Sequence, residues 1–269
     1  MKTYVITGST SGIGNALTKE LAKNNIVFAG FRNDKYIEDL KSISENVIPF
    51  YIDMEKPESI KNASDFIKSK TNNIDTLINV AGCVVAGVVE KLPINNLKKQ
   101  FDVNTFSHID FTQRLYSQLS IGKVINISSM ASFGLFPFIS PYCASKRALD
   151  IFFNAFSLES GLKVVSIKPG VIATPLWDKS IENNKESFEN CEKFEKEMKF
   201  MVSNAHKNGV SGLNVEKVVN KIIKIDSMKN PKTSYTIGFD AKMAEIFSRL
   251  PFDLQYKIVK LGMDLRISK

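Results

Sequence analysis

The chain has 269 residues, 43% of them hydrophobic, with a formal net charge of +8 at pH 7. No apolar run approaches the ~20 residues of a membrane span, and the length suits one large α/β domain spanning 1–269. The cations are dispersed lysines interleaved with acids. That pattern argues for a solvated surface that steers an anionic cofactor and against a nucleic-acid-binding stripe.

Cys83, Cys143 and Cys191 lack C-x-x-C or ligand spacing and read as reduced thiols of a cytoplasmic protein. Two isolated histidines, His108 and His206, offer no metal-ligand set. Met1 to Gly8 is a short β-like run rather than a secretory leader.

In chain order, a strand in "TYVITG" (3–8) meets the turn "TGSTSGIG" and a helix over 13–24. Strands follow at "IVFAGF" (26–31), "VIPFYI" (47–52), "IDTLINV" (74–80), "GKVINIS" (122–128), "LKVVSIK" (162–168) and "SYTIG" (234–238). Helical periodicity fills 34–44, 57–70, 94–119, 143–160 and 215–226. Near-continuous apolar strands separated by helices predict a doubly wound parallel sheet, the Rossmann architecture.

Two segments stand outside that alternation. Within 175–212, Phe188, Cys191, Phe194, Met198 and Met201 recur every three or four residues, predicting one apolar stripe on a helix that is either a substrate lid or a surface helix packed on its own domain. The tail, about 241–265, is amphipathic, with Pro251 dividing it into two helices.

Residues 142–146 read "YCASK", but 7 Tyr and 31 Lys in 269 residues supply close to one Tyr-x-x-x-Lys match by chance, and "YKIVK" (Tyr256, Lys260) is a second. The surroundings separate the two. The glycine turn between strand and helix, with Gly8, Gly12 and Gly14, brings backbone up to a pyrophosphate at a helix N-terminus. The Tyr256 match has no such turn beside it.

The spacing of "TGSTSGIG", together with "NVAG" (79–82), "FDVN", "INISSMAS", "YCASK" and "KPGVIATP" in this order, resembles the single-domain short-chain dehydrogenases/reductases over nearly the whole chain. Two departures are Val80 and Ser107, where the family usually has asparagine and often has glycine. By this resemblance Tyr142 is the general acid or base, Lys146 tunes Tyr142 and binds the nicotinamide ribose, Ser129 holds the substrate oxygen, and Asn104 serves a proton relay. Ser128 competes with Ser129 for its role.

The same resemblance assigns Gly8, Ser11, Gly12, Ile13, Gly14, Arg32, Asp53, Asn79, Ala81, Gly82, Tyr142, Lys146, Pro169, Gly170, Ile172 and Thr174 to the cofactor. Asp53 would lie near adenine, although an Asp at that position is also an ordinary N-cap for the helix beginning near Pro57. Phe31 stands where NAD-selective members carry an acid, and Arg32 follows it. NADP is therefore expected over NAD. Asp34, three positions later, reads as a helix N-cap.

"KPGVIATPLWDKS" and the tail are similar to members acting on retinoids and hydroxysteroids, which implies a hydrophobic carbonyl or alcohol substrate. A homodimer or homotetramer is the expected assembly. The alternatives are a nucleotide-sensing protein on the same fold and an enzyme whose tail lies on a membrane surface, the latter less favoured than a tail packed on protein.

Overall fold

The structure is a computed structural model that describes residues 1–119, 121–189 and 192–267. β1 (Thr3–Ile6) leads into α1 (Gly12–Leu21), β2 (Ile26–Phe31), a 3-10 turn (Asp34–Tyr36), α2 (Ile37–Lys41), β3 (Val47–Tyr51), α3 (Pro57–Lys70) and β4 (Thr76–Asn79). Then come α4 (Ile94–Phe101), a π-helical turn (Asp102–Phe106), α5 (Ser107–Arg114), β5 (Lys123–Ile127), α6 (Ser140–Ser160) and β6 (Lys163–Pro169). The lid comprises α7 (Leu176–Asn183), α8 (Lys185–Glu189) and α9 (Glu195–Ser211). After it follow α10 (Val215–Asp226), β7 (Ser234–Ile237), α11 (Phe239–Phe247) and α12 (Phe252–Ile267).

The strands form one parallel sheet in the order β3-β2-β1-β4-β5-β6-β7. Alternate residues of each strand face opposite layers, as the two-residue period requires. Ile6, Val27, Ile78, Ile125 and Val165 pack with Leu17 of α1 and Ile222 of α10. Val5, Phe28, Leu77, Val124 and Val164 pack with Ile67 of α3, Phe111 of α5 and Phe153 of α6. The strand order reverses between β1 and β4, so the crevice for a ligand opens at the carboxyl ends of those strands.

Three sequence expectations are corrected in detail. The helix over 94–119 is interrupted by the π-turn, whose extra residue per turn leaves carbonyls that Ser107 covers. Its buried hydroxyl donates to Val103 O at 3.2 Å and also to Asp102 O. Serine in place of glycine is therefore accommodated. The single lid stripe falls instead on α8, a 3-10 turn (Glu192–Phe194) and α9, with Cys191 outside the described residues. Spacings of three suit a 3-10 turn as well as an α-helix, so periodicity alone could not separate them. Asn33, not Asp34, caps the turn after β2, its Oδ1 accepting from Lys35 N at 3.1 Å.

At the opposite end of the sheet from the crevice, buried Asp226 at the end of α10 accepts from Thr76 Oγ1 at 2.6 Å, Tyr4 Oη at 2.8 Å and Lys2 Nζ at 3.0 Å. Burial alone would raise its pKa. The hydrogen bonds from Thr76, Tyr4 and Lys2 outweigh burial and hold the carboxyl below the usual range. The resulting stability is present above the ordinary carboxylate pKa and lost as pH falls through the depressed one. Asp226→Ala should therefore cost about 3 kcal/mol at pH 7. Urea unfolding at pH 7 and in acid should show a smaller acid loss in the variant than in the parent.

Candidate active site

The glycine turn after β1 is shaped by close backbone approaches. Gly8 and Gly12 adopt φ of 69° and 53°, and a Cβ on Gly14 would collide with the Gly8 carbonyl. Ser9 N bonds Gly30 O at 2.9 Å, tying the turn to β2. Ser11 is the N-cap of α1 but makes no side-chain cap bond. With Gly12 and Ile13 it lines the main cavity and gives an anion-binding helix N-terminus. Thr174 closes the turn from the other side, its methyl 3.2 Å from where a Cβ of Gly12 would stand.

Residues 80–86 continue β4 without pairing to a neighbouring strand, so side chains satisfy their backbone groups. Thr7 Oγ1 accepts from Val80 N at 2.9 Å and Ala81 N at 3.1 Å. Asn104, in the π-turn, accepts from Cys83 N at 2.9 Å and donates to Cys83 O at 3.0 Å and Ser145 Oγ at 3.1 Å. Gln100 accepts from Val85 N at 2.5 Å and donates to Cys83 O at 2.9 Å. From the lid, Asn184 accepts from Ala86 N at 2.9 Å and donates to Val84 O at 2.8 Å. His108 Nε2 lies 2.8 Å from Ala81 O, and burial, with the nearby Lys146 charge, pushes its pKa down to about 3, so the ring is neutral. Sequence reading missed Gln100, His108 and Asn184. Only their unusual burial marks them, and no local pattern carries that signal.

Tyr142 and Lys146 sit one turn apart on α6, facing the 3-10 turn (Met130–Phe133) that follows Ser129. The Ser129 hydroxyl lies beside Tyr142 and accepts from Ala131 N at 3.1 Å. Ser128 Oγ is buried and makes no protein hydrogen bond among the described residues, and both serines line the main cavity. Burial pushes the Tyr142 phenol up to about 12, against a lowering by Ser129. Lys146 is 4% exposed and donates from Nζ to Ile127 O at 2.8 Å. Burial pulls it down to about 8, with Asp150 opposing. A Cβ on Gly82 would lie 3.3 Å from Asn104 Oδ1 and 3.6 Å from Lys146 Nζ, so these two groups converge over this residue. The second match is elsewhere: Tyr256 is 53% exposed on α12 and outside the cavity lining.

The cavity above these residues has a volume of about 710 Å³. Phe188 and Met201 of the lid, with Phe247, Val259 and Met263 of the tail, give it an apolar wall. Phe138 contributes from φ 67°, a strained conformation for an aromatic residue, fixed by Gly87 N donating to its carbonyl at 2.7 Å and by the Phe194 ring at 5.5 Å. Tail and cofactor loop are joined where Asp240 Oδ2 accepts from Val171 N at 2.7 Å, beside Gly170.

The profile of the short chain dehydrogenase family matches residues 2–185. The chain belongs to this family. It is accordingly a nicotinamide-dependent oxidoreductase. Among curated relatives, this short-chain dehydrogenase is 30% identical to the NADPH-dependent 3-dehydrocapnine reductase of Ornithobacterium rhinotracheale, over 97% of this chain and 98% of that protein. It is 31% identical to a probable short-chain type dehydrogenase/reductase of Helicobacter pylori, over 96% and 97% of the two chains. The fold is shared with a short-chain dehydrogenase from Streptomyces avermitilis, at TM-score 0.76 and 20% identity over 100% of this chain and 98% of that one. A serine dehydrogenase complexed with NADP+ has TM-score 0.74 at 18% identity, over 87% and 94%.

Of the residues assigned to the cofactor, Gly8, Ser11, Gly12, Ile13, Ala81, Gly82, Tyr142, Lys146, Pro169, Gly170, Ile172 and Thr174 line the main cavity. Arg32 lines an adjoining side cavity of about 200 Å³. Asn79 is buried between β4 and β5, donating to Asn126 Oδ1 at 2.8 Å. Asp53 turns into its own loop, accepting from Glu55 N at 3.1 Å, while its neighbours Ile52 and Met54 reach the side cavity. It does not cap α3, whose N-cap is Lys56 without a side-chain bond. The glycine turn and the open helix N-terminus fit a dinucleotide.

Asn184 is the lid's buried attachment to the segment that walls both cavities. Asn184→Ala should strand Ala86 N and Val84 O and loosen the lid, at a cost of about 2 kcal/mol. Hydrogen exchange should quicken by tenfold or more at 84–86 and 176–211, with the central strands unchanged.

Proposed function

We propose that the enzyme is an NADP-dependent reductase that interconverts a lipophilic carbonyl compound and its secondary alcohol, with Ser129, Tyr142, Lys146 and Asn104 as its working residues. The observation that carries this reading is the convergence of Ser129, Tyr142 and Lys146 on the floor of a large cavity walled by apolar lid and tail side chains. Arg32 supports the cofactor choice, since its guanidinium offers a fork of donors to a 2′-phosphate while Phe31 supplies no acid for ribose hydroxyls. The NADPH dependence named for the Ornithobacterium relative agrees with it.

In the reducing direction the bound nicotinamide supplies hydride to the carbonyl carbon. Tyr142 Oη donates the proton to the carbonyl oxygen, and the Ser129 hydroxyl hydrogen-bonds the same oxygen as negative charge develops there. A phenol raised to about 12 is a weak acid until a cation stabilises its conjugate base, which is the work of protonated Lys146. The space over Gly82, bounded by Asn104 Oδ1 and Lys146 Nζ, is the position for a relay water that returns the proton. Asn104 also ties Cys83 to Ser145, whose hydroxyl donates to the Tyr142 carbonyl on the same helix.

Cytoplasmic residence accords with the free thiols of Cys83 and Cys143. Exposed Phe106, Ile151 and Phe152 on the α5–α6 side support self-association as a homodimer or homotetramer. Among the described residues no helix is long and apolar enough to cross a membrane.

With NADPH, kcat/KM should rise along a series of ketones of growing apolar size, by about 0.8 kcal/mol per buried methylene until the cavity is filled. A flat series, or preference for charged sugars, would contradict the substrate class. Because kcat/KM reports the free enzyme and Lys146 is held near 8, reduction should fall above that pH as the ammonium is lost. A profile level from pH 7 to 10 would remove Lys146 charge from the mechanism.

A further inference from the structure

We propose that Glu55 is a specificity-determining residue for the cofactor, a built-in anion that occupies the cations awaiting the adenosine phosphate. The proposal rests on the NADP reading of Arg32 and extends it. Arg32 does not stand free at the end of β2. Its Nη1 lies 3.1 Å from Glu55 Oε1, and the other oxygen, Oε2, lies 3.0 Å from Lys99 Nζ on α4. One carboxylate thus bridges two cations contributed by elements far apart in sequence. This is the arrangement a phosphate oxygen set would also satisfy.

The surroundings point to competition at this place. Glu55, Arg32 and Phe31 line the side cavity of about 200 Å³ together with Gly8 and Thr10 of the glycine turn. Glu55 is the only acidic residue among the described residues lining it, and Lys179 of α7 faces it from the lid. Phe31 is 7% exposed and packs edge-on against Tyr51, with ring centroids 6.0 Å apart, so the strand end itself presents no carboxylate. The Glu55 backbone is fixed independently, its N–H donating to Asp53 Oδ1 at 3.1 Å. Side-chain substitution therefore leaves the loop anchored.

Two consequences follow for nucleotide choice. A 2′-phosphate engages Arg32 and Lys99 only by displacing Glu55, and it meets carboxylate repulsion unless Glu55 swings away. NADP(H) affinity is thereby held below what two cations alone would give. A nucleotide without the phosphate leaves the Arg32–Glu55–Lys99 bridge intact and gains nothing from its removal. Lys99 joins Arg32 as a phosphate-binding cation, although no local motif marks it.

The test is direct titration of NADPH, NADH and 2′,5′-ADP into the full chain by fluorescence, with Glu55→Gln, Lys99→Met and Arg32→Ala alongside the parent. Glu55→Gln keeps shape and removes charge. It should tighten NADPH and 2′,5′-ADP by about three- to tenfold and change NADH by less than about twofold, the scale of a solvent-screened charge pair. Lys99→Met should weaken the phosphate-bearing ligands about threefold and spare NADH. Unchanged or weaker NADPH binding in Glu55→Gln, or an equal gain for NADH, would overturn the proposal. Arg32→Ala separates this from the underlying reading. Equal losses for NADPH and NADH would defeat the NADP preference. A selective gain of 2′,5′-ADP in Glu55→Gln would still uphold Glu55 as the competing anion. Matching thermal melts establish that each variant is folded.

Discussion

The site depends on one constraint: residues 80–86 leave β4 with no strand beside them, and their backbone polar groups, buried from Val84 to Ala86, have to be satisfied by side chains. Thr7 answers for Val80 and Ala81, His108 for the Ala81 carbonyl, Asn104 and Gln100 for Cys83 and Val85, and Asn184 for Val84 and Ala86. These side chains come from β1's end, the α4–α5 region and the lid. The segment is consequently a junction through which the glycine turn, the π-turn and the substrate cover are held in one register. Its residue Gly82 is where Asn104 and Lys146 approach each other.

Electrostatics at the catalytic group follow from the same packing. Enclosure moves both partners away from their charged forms, Tyr142 up and Lys146 down. Below about pH 8 the resting group therefore pairs a neutral Tyr142 phenol with a protonated Lys146. A cavity with apolar upper walls reinforces both shifts by keeping the local dielectric low. At the other end of the cleft the balance is opposite, with Arg32, Glu55 and Lys99 solvent-accessible and screened.

Much of this was legible in the sequence because it is periodic or compact. Strand runs such as "KVINI" and "VVSIK" gave a parallel sheet, and "YCASK" after "INISS" marked residues that the fold places together at the main cavity. The Pro251 break between two tail helices was legible for the same local reason, proline ending a helical pattern. What stayed hidden is long-range or non-periodic. The π-turn carrying Asn104 changes helical pitch within an otherwise uniform amphipathic run. Asn184 reaches across about a hundred residues to Val84 and Ala86, and an asparagine in a charged stretch reads as surface. Glu55 and Lys99 likewise look like ordinary solvated charges until the fold brings them to Arg32.

The central claim is that Tyr142 transfers the proton within a group formed by Ser129 and Lys146 and is dispensable for holding the nucleotide. Single-turnover stopped flow with saturating enzyme, following loss of NADPH absorbance on mixing with an apolar ketone, tests it most directly when parent and Tyr142→Phe are compared. The account predicts that Tyr142→Phe slows the chemical step by at least about a thousandfold while the NADPH dissociation constant stays within about twofold, because the ring and its packing remain. A single-turnover rate in Tyr142→Phe within tenfold of the parent would contradict it.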